Sequence, residues 1–149
     1  MSSAKYAIAL AKLISAKLFV IYVVDEKVLH ELLKSRIFVE VEARVYERDL
    51  EQQGTVFLER LKKMADNKGV ACDTLLLKGA VSDEVINKVK ELQVDLLVMG
   101  DVKEMISRAE TVYDEGERIF HRASCQVLIV KDREAAEAKV LKLAIDAIA

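Results

Sequence analysis

The feature that most constrains the fold lies at the two ends of the chain. Residues Lys139–Asp146 read K-V-L-K-L-A-I-D, a strand-like run, and only Ala147-Ile148-Ala149 follow. The other end opens on Ser2-Ser3-Ala4-Lys5 and a helical pattern, with no strand before it. Joined tail to head, these segments make a strand, a turn carrying an acid and a helix, the usual first unit of a parallel α/β domain. The expectation is that residues 139–146 supply a strand the sheet needs at its beginning.

Between the ends, helical and strand-like patterns alternate. Ala7, Leu10, Ala11 and Ile14 recur at helical spacing over Ser3–Ala16, with Ser2 or Ser3 as N-cap. Leu18–Val24 is a continuous β-branched and aromatic run closed by Asp25, as suits a strand covered on both faces. Glu26–Lys68 is helical, with breaks expected near Ser35 and at Gly54, and a buried stripe of Val41, Val45, Phe57, Leu58, Leu61, Met64 and Ala65. Asn67-Lys68-Gly69 is a helix stop, because Asn and Gly tolerate the left-handed backbone. Val70–Leu77 reads as a strand followed by a turn at Lys78-Gly79. Ser82 opens the next helix, with Asp83 and Glu84 in its first turn. Asp95–Gly100 and Gln126–Lys131 are further strands, and a helix closes the charged stretch Asp101–Arg122. The alternation argues for one domain over residues 1–149, an open parallel sheet with helices on both faces.

Composition excludes several classes. The chain has 149 residues, is 52% hydrophobic and 32% charged, and carries a net charge of −2, which gives no reason to expect nucleic acid or an anionic membrane as partner. No apolar run approaches a membrane span and no secretory signal is visible, so the expected location is the cytoplasm. Cys72 and Cys125 read as buried small hydrophobes rather than a disulfide or metal pair. Neither His30 nor His121 has a partner at metal-ligand spacing, and no metal site is expected. The P-loop and dinucleotide patterns are absent.

At Asp95–Gly100 (D-L-L-V-M-G) and Arg122–Lys131 (R-A-S-C-Q-V-L-I-V-K) the chain resembles the universal stress protein family, at that family's fourth and fifth strands. Tyr22-Val23-Val24-Asp25 resembles its second strand, and Gly79-Ala80-Val81 followed by Ile86 its G-x-x helix entry. The resemblance covers nearly the whole chain once the order is rotated. It departs at Gln126, where the usual text has proline. The resemblance implies a five-stranded parallel sheet of order 3-2-1-4-5, of the adenine-nucleotide alpha hydrolase type, dimerising through the edge strand 126–131. Strand 1 is central, and residues 139–146 match its text, ending at Asp146. The expected architecture is therefore a circular permutant. Two alternatives stand beside it. Glu134–Ile148 also reads as an amphipathic helix with Leu141, Ile145 and Ile148 on one face. Because the linker 132–138 is barely long enough, the strand could also enter a partner subunit.

The resemblance also supplies the candidate site. ATP-binding members carry G-x-x-G, nine residues, then G-[ST], where glycines bring backbone amides close to phosphates. Here Gly100 keeps the first position, but Lys103, Tyr113 and Asp114 occupy the others. Val23, Met99 and Gly100 match positions that contact the base, and Asp146 the acid after strand 1. The expected function is a non-catalytic, dimeric interaction or regulatory domain with a degenerate nucleotide site, no cofactor, and an unidentified protein partner. One alternative is an ATP- or AMP-binding member, at most a weak ATPase, using Lys103 and Arg108 on the phosphates. A second is a receiver-like or small-molecule-sensing regulator built on Asp25 and Asp101.

Overall fold

The computed structural model describes residues 2–36, 39–100 and 110–131. In chain order the elements are α1 (Ser2–Ile14), β1 (Leu18–Asp25), α2 (Glu26–Lys34), α3 (Glu40–Asn67), β2 (Cys72–Gly79), α4 (Val81–Glu91), β3 (Leu96–Gly100), α5 (Glu110–Arg122) and β4 (Gln126–Val130). The strands are the β-branched runs L-F-V-I-Y-V-V-D, L-L-V-M-G and Q-V-L-I-V, together with C-D-T-L-L-L-K-G. Because the chain contains no proline, its helices stop by backbone conformation. Ser15, Arg36, Gly69 and Gln93, following α1, α2, α3 and α4, all take positive φ.

The described strands form two parallel pairs. β1 pairs with β2, Leu18 opposite Cys72 through Asp25 opposite Gly79. β3 pairs with β4, Leu96 opposite Gln126 through Gly100 opposite Val130. Among the described residues neither pair bonds to the other. The expected five-strand order 3-2-1-4-5 contains two such pairings, but the described residues show only these two separate two-stranded parallel sheets. Residues 139–146, the expected central strand, lie outside the described residues.

Each pair has its own core. Ile8 and Ala11 of α1 and Leu61 and Ala65 of α3 close over Val70 and Cys72, with Leu18 and Val20 of β1 packed against them. Gly54 brings α3 close to the sheet: a Cβ there would stand 2.6 Å from the Tyr22 ring and 2.9 Å from Leu76. On β3–β4 the core is Ile86 of α4, Met99 of β3 and Ile119 of α5, flanked by Leu97, Val127 and Ile129. Helix α1 lies against β1, β3 and β4, and α4 against β1 and β2, so the two pairs share their helical cover.

Several expectations are corrected. Helix α3 runs unbroken through Gly54, because that glycine is needed for close approach to Tyr22 and Leu76 rather than for a turn. Val41 and Val45 are 70% and 53% exposed instead of forming the buried stripe. With 28 residues α3 is about 42 Å long, whereas an eight-residue strand spans about 26 Å. The amino-terminal turns of α3 therefore overhang the sheet, where only Ala43 is buried. Ile14 is 58% exposed, and α1 buries Ile8 and Ala9 instead. Strand β2 occupies Cys72–Gly79, two residues beyond the expected span, because Val70 still closes the α3 end through its N–H to the Ala65 carbonyl. Cys125 is half-buried, and both cysteines are free thiols.

Candidate functional site

The carboxyl ends of parallel strands are where open α/β sheets bind ligands. Here β1 ends at Asp25, whose Oδ1 accepts the Lys27 N–H at 3.0 Å and so caps α2. β2 ends at Gly79, with φ of 142°, where a Cβ would stand 2.7 Å from the Glu84 carboxylate. β3 ends at Gly100. Val23 stands two residues before the end of β1, opposite Leu77, and Met99 one residue before the end of β3, opposite Ile129. The structure places Val23, Met99 and Gly100 at the carboxyl ends of their strands, but in separate pairs. Met99 is 9% exposed and packs with Ile86 and Ile119, so its side chain belongs to the core. Lys103, Arg108, Asp101 and Asp146 lie outside the described residues.

Tyr113 and Asp114 are inside α5, which begins at Glu110. In an α-helix the amide of residue i is directed at the carbonyl of residue i−4, so the Asp114 N–H is committed to Glu110. The positions where the resemblance puts the phosphate-binding G-[ST] thus lie inside a helix.

The residue that sequence reasoning missed is Glu115. It is only 6% exposed, and its Oε2 accepts the Ser82 N–H at 2.8 Å. Its other oxygen stands 3.5 Å from Arg118 Nη1. Helix α4 begins at Val81 after Ala80, which has no side-chain acceptor, so Ser82 is the second helical residue rather than the cap. Glu115 supplies from α5 the anionic cap that α4 lacks locally, offsetting its positive end. Arg122 Nη1 meets Asp83 Oδ1 at 2.7 Å and fastens the same two helices at their surface. A signal was present: Glu115 stands four residues before Ile119 and eight before Ala123, both packed in the β3–β4 core, so a carboxylate occupies the apolar stripe.

Two surface depressions lie elsewhere. One, of about 470 Å³, is lined by Asp49, Gln52, Gln53, Val56, Phe57 and Arg60 of α3, and the other by Glu117, Arg118, His121 and Arg122 of α5. Neither is lined by Val23, Met99 or Gly100. No group of acids, histidines and cysteines among the described residues could hold a metal ion, and no described helix is long and apolar enough to cross a membrane.

Residues 2–131 match the family described as "Universal stress protein family". The chain is 30% identical over 131 residues to universal stress protein MJ0531 of Methanocaldococcus jannaschii, covering 88% of this chain and 74% of that protein. It is 29% identical over 132 residues to universal stress protein YxiE of Bacillus subtilis, covering 84% and 86%. Among solved structures it is similar to a universal stress protein family member from Burkholderia pseudomallei, with a TM-score of 0.66 at 21% identity over 87% of this chain and 85% of that one. It is also similar to a universal stress protein in complex with cAMP, with a TM-score of 0.54 at 20% identity over 86% and 87%. At those identities the structural likeness speaks to the α/β fold with parallel strands.

Proposed function

The chain belongs to the universal stress protein family, and within it we propose a non-catalytic interaction or regulatory domain whose nucleotide site is degenerate. The observation that carries this reading is the course of α5. Its described helix, Glu110–Arg122, includes Tyr113 and Asp114, and helical geometry turns the Asp114 amide to the Glu110 carbonyl rather than outward to a phosphate. Glu115 adds to the argument: the nearby helix end at Ser82, the usual kind of place for an anion, already holds a carboxylate. In the proposed architecture residues 139–146 fill the position between β1 and β3, giving a five-stranded sheet of order 3-2-1-4-5 with helices on both faces, in a circularly permuted chain. The protein acts in the cytoplasm, pairs with a second copy through the edge strand 126–131, and has an unidentified protein as a further partner.

A second reading is favoured by the solved universal stress protein that holds cAMP. There the chain keeps ATP or AMP, with Val23, Met99 and Gly100 near the base and Lys103 and Arg108 on the phosphates. The two separate cheaply. Protein purified without added nucleotide is denatured, and the supernatant is read by absorbance and mass spectrometry. The first reading expects no adenine nucleotide; a stoichiometric amount establishes the second.

A further inference from the structure

We propose that the outer edge of β2 is a self-pairing surface that Lys62 keeps closed. What Lys62 excludes is a second copy of this chain, presenting the same edge in the antiparallel direction. This surface is separate from the edge strand 126–131.

The register of β1 and β2 fixes which main-chain groups face outward. The Leu18 N–H donates to the Ala71 carbonyl at 2.8 Å, and Leu18 stands opposite Cys72. Main-chain groups alternate sides along a strand, so Asp73, Leu75 and Leu77 turn theirs to β1. Cys72, Thr74, Leu76 and Lys78 turn theirs to the other side, where no strand is bonded among the described residues. One of these outward groups is taken. Lys62 of α3 donates from Nζ to the Cys72 carbonyl at 2.7 Å, and Asp66 Oδ1 holds the same ammonium at 3.2 Å. A side-chain ammonium thus occupies the acceptor that an added strand would use.

Otherwise β2 has the makings of a pairing edge. It is eight residues long, contains no proline and carries the run Leu75-Leu76-Leu77. Leu76 is 37% exposed. Edges of this kind pair with other chains unless a charge, lysine above all, stands on them. Lys78, the other lysine of this edge, turns its side chain to Glu47 and Glu51 of α3 and is neutralised there.

The edge is also self-complementary. Turned antiparallel about Leu75, two copies of β2 set Thr74 opposite Leu76 and Cys72 opposite Lys78, each with its outward groups facing the other strand. Asp73 then stands opposite Leu77, so no like charges meet directly. In that register the Lys78 N–H of the second copy would donate to the Cys72 carbonyl, and Lys62 already stands there. Because the arrangement is two-fold symmetric, Lys62 blocks the ladder at both of its ends.

The test compares molecular mass by light scattering at high micromolar concentration, in full chains shown to be folded by circular dichroism. Lys62→Met keeps the stem and the helix propensity of lysine but removes the ammonium. Its mass should be about twice that of the unsubstituted protein or more, because every chain gains one symmetric contact. Lys62→Arg keeps a charged donor and should match the unsubstituted protein. Adding Thr74→Pro to Lys62→Met removes an outward N–H without breaking a bond to β1, and should return the mass to the unsubstituted value. An unchanged mass for Lys62→Met overturns the proposal, as does association of Lys62→Arg or association that survives Thr74→Pro. Amide hydrogen exchange tests the edge in the unsubstituted chain. The Thr74 and Leu76 amides should exchange much faster than those of Asp73 and Leu75. Equal protection would show that the edge is already covered and overturns the proposal as well.

Discussion

The β1–β2 half and the β3–β4 half of this molecule are fastened by different physics. Over β1–β2, α3 approaches through Gly54 and buries Leu58, Leu61 and Ala65 with no buried charge among them. Over β3–β4, α4 and α5 share an apolar core but also a buried carboxylate, Glu115, aimed at a backbone amide. The first arrangement loses stability when volume changes. The second loses it when a hydrogen-bonding group is removed. The difference bears on the proposed function because Glu115 directly follows Tyr113 and Asp114, the positions that the family resemblance gives to phosphate contacts.

Substitutions can break this contrast. Leu61 is 0% exposed, and Leu61→Ala should cost about 2–5 kcal/mol in urea denaturation through lost transfer energy and the cavity left behind. Glu115→Ala leaves the Ser82 amide buried without its acceptor and should cost about 1–3 kcal/mol, whereas Glu115→Gln, which keeps an acceptor, should lose less. If alanine and glutamine cost the same, the hydrogen bond is not what joins α4 to α5. Gly54→Val should destabilise by about 1–3 kcal/mol although valine is the better helix former, because the new side chain meets Tyr22 and Leu76. A stabilised variant would show that α3 does not approach the sheet so closely. Gln93→Gly, at a left-handed position, should raise stability by about 0.5–1 kcal/mol.

The smallest effect is a pH dependence at the surface of the β1–β2 half. Lys17 Nζ stands 2.8 Å from Asp73 Oδ2, and its hydrogen bond and charge hold the Asp73 carboxyl below its ordinary value. A lowered folded value contributes stability above the ordinary aspartate range, which is lost as pH falls through the folded value. Asp73→Asn should therefore sit slightly below the unsubstituted protein at neutral pH, and the two denaturation midpoints should converge in acid. Burial pushes the Cys72 thiol up, so thiol reagents at neutral pH should modify half-buried Cys125 well before Cys72.

Much of this contrast was legible in the sequence. Long β-branched runs gave β1, β3 and β4 to within a residue or two, because a strand buried on both faces carries an uninterrupted apolar signal. Asn67-Lys68-Gly69 marked the end of α3 because left-handed stops have specific residue requirements. The exposure of Val41 and Val45 could not be read, since periodicity tells which side of a helix is apolar and not how far the sheet beneath it extends. Glu115 was missed for a related reason. Its partner is the Ser82 amide, 33 positions away, and only the fold brings the two together. The residues of the candidate site were legible as a departure from a glycine-rich pattern. That the departure takes the form of a continuous helix at 110–122 needed the structure.

The central claim is that this universal stress protein does not hold nucleotide in the manner the glycine-rich pattern allows. Isothermal titration of the full chain with ATP tests it most directly, with AMP and cAMP as parallel titrants. No saturable heat should appear with ligand up to millimolar concentration. Stoichiometric binding at micromolar affinity would contradict the claim, and loss of that binding on Gly100→Val would place the nucleotide at the end of β3.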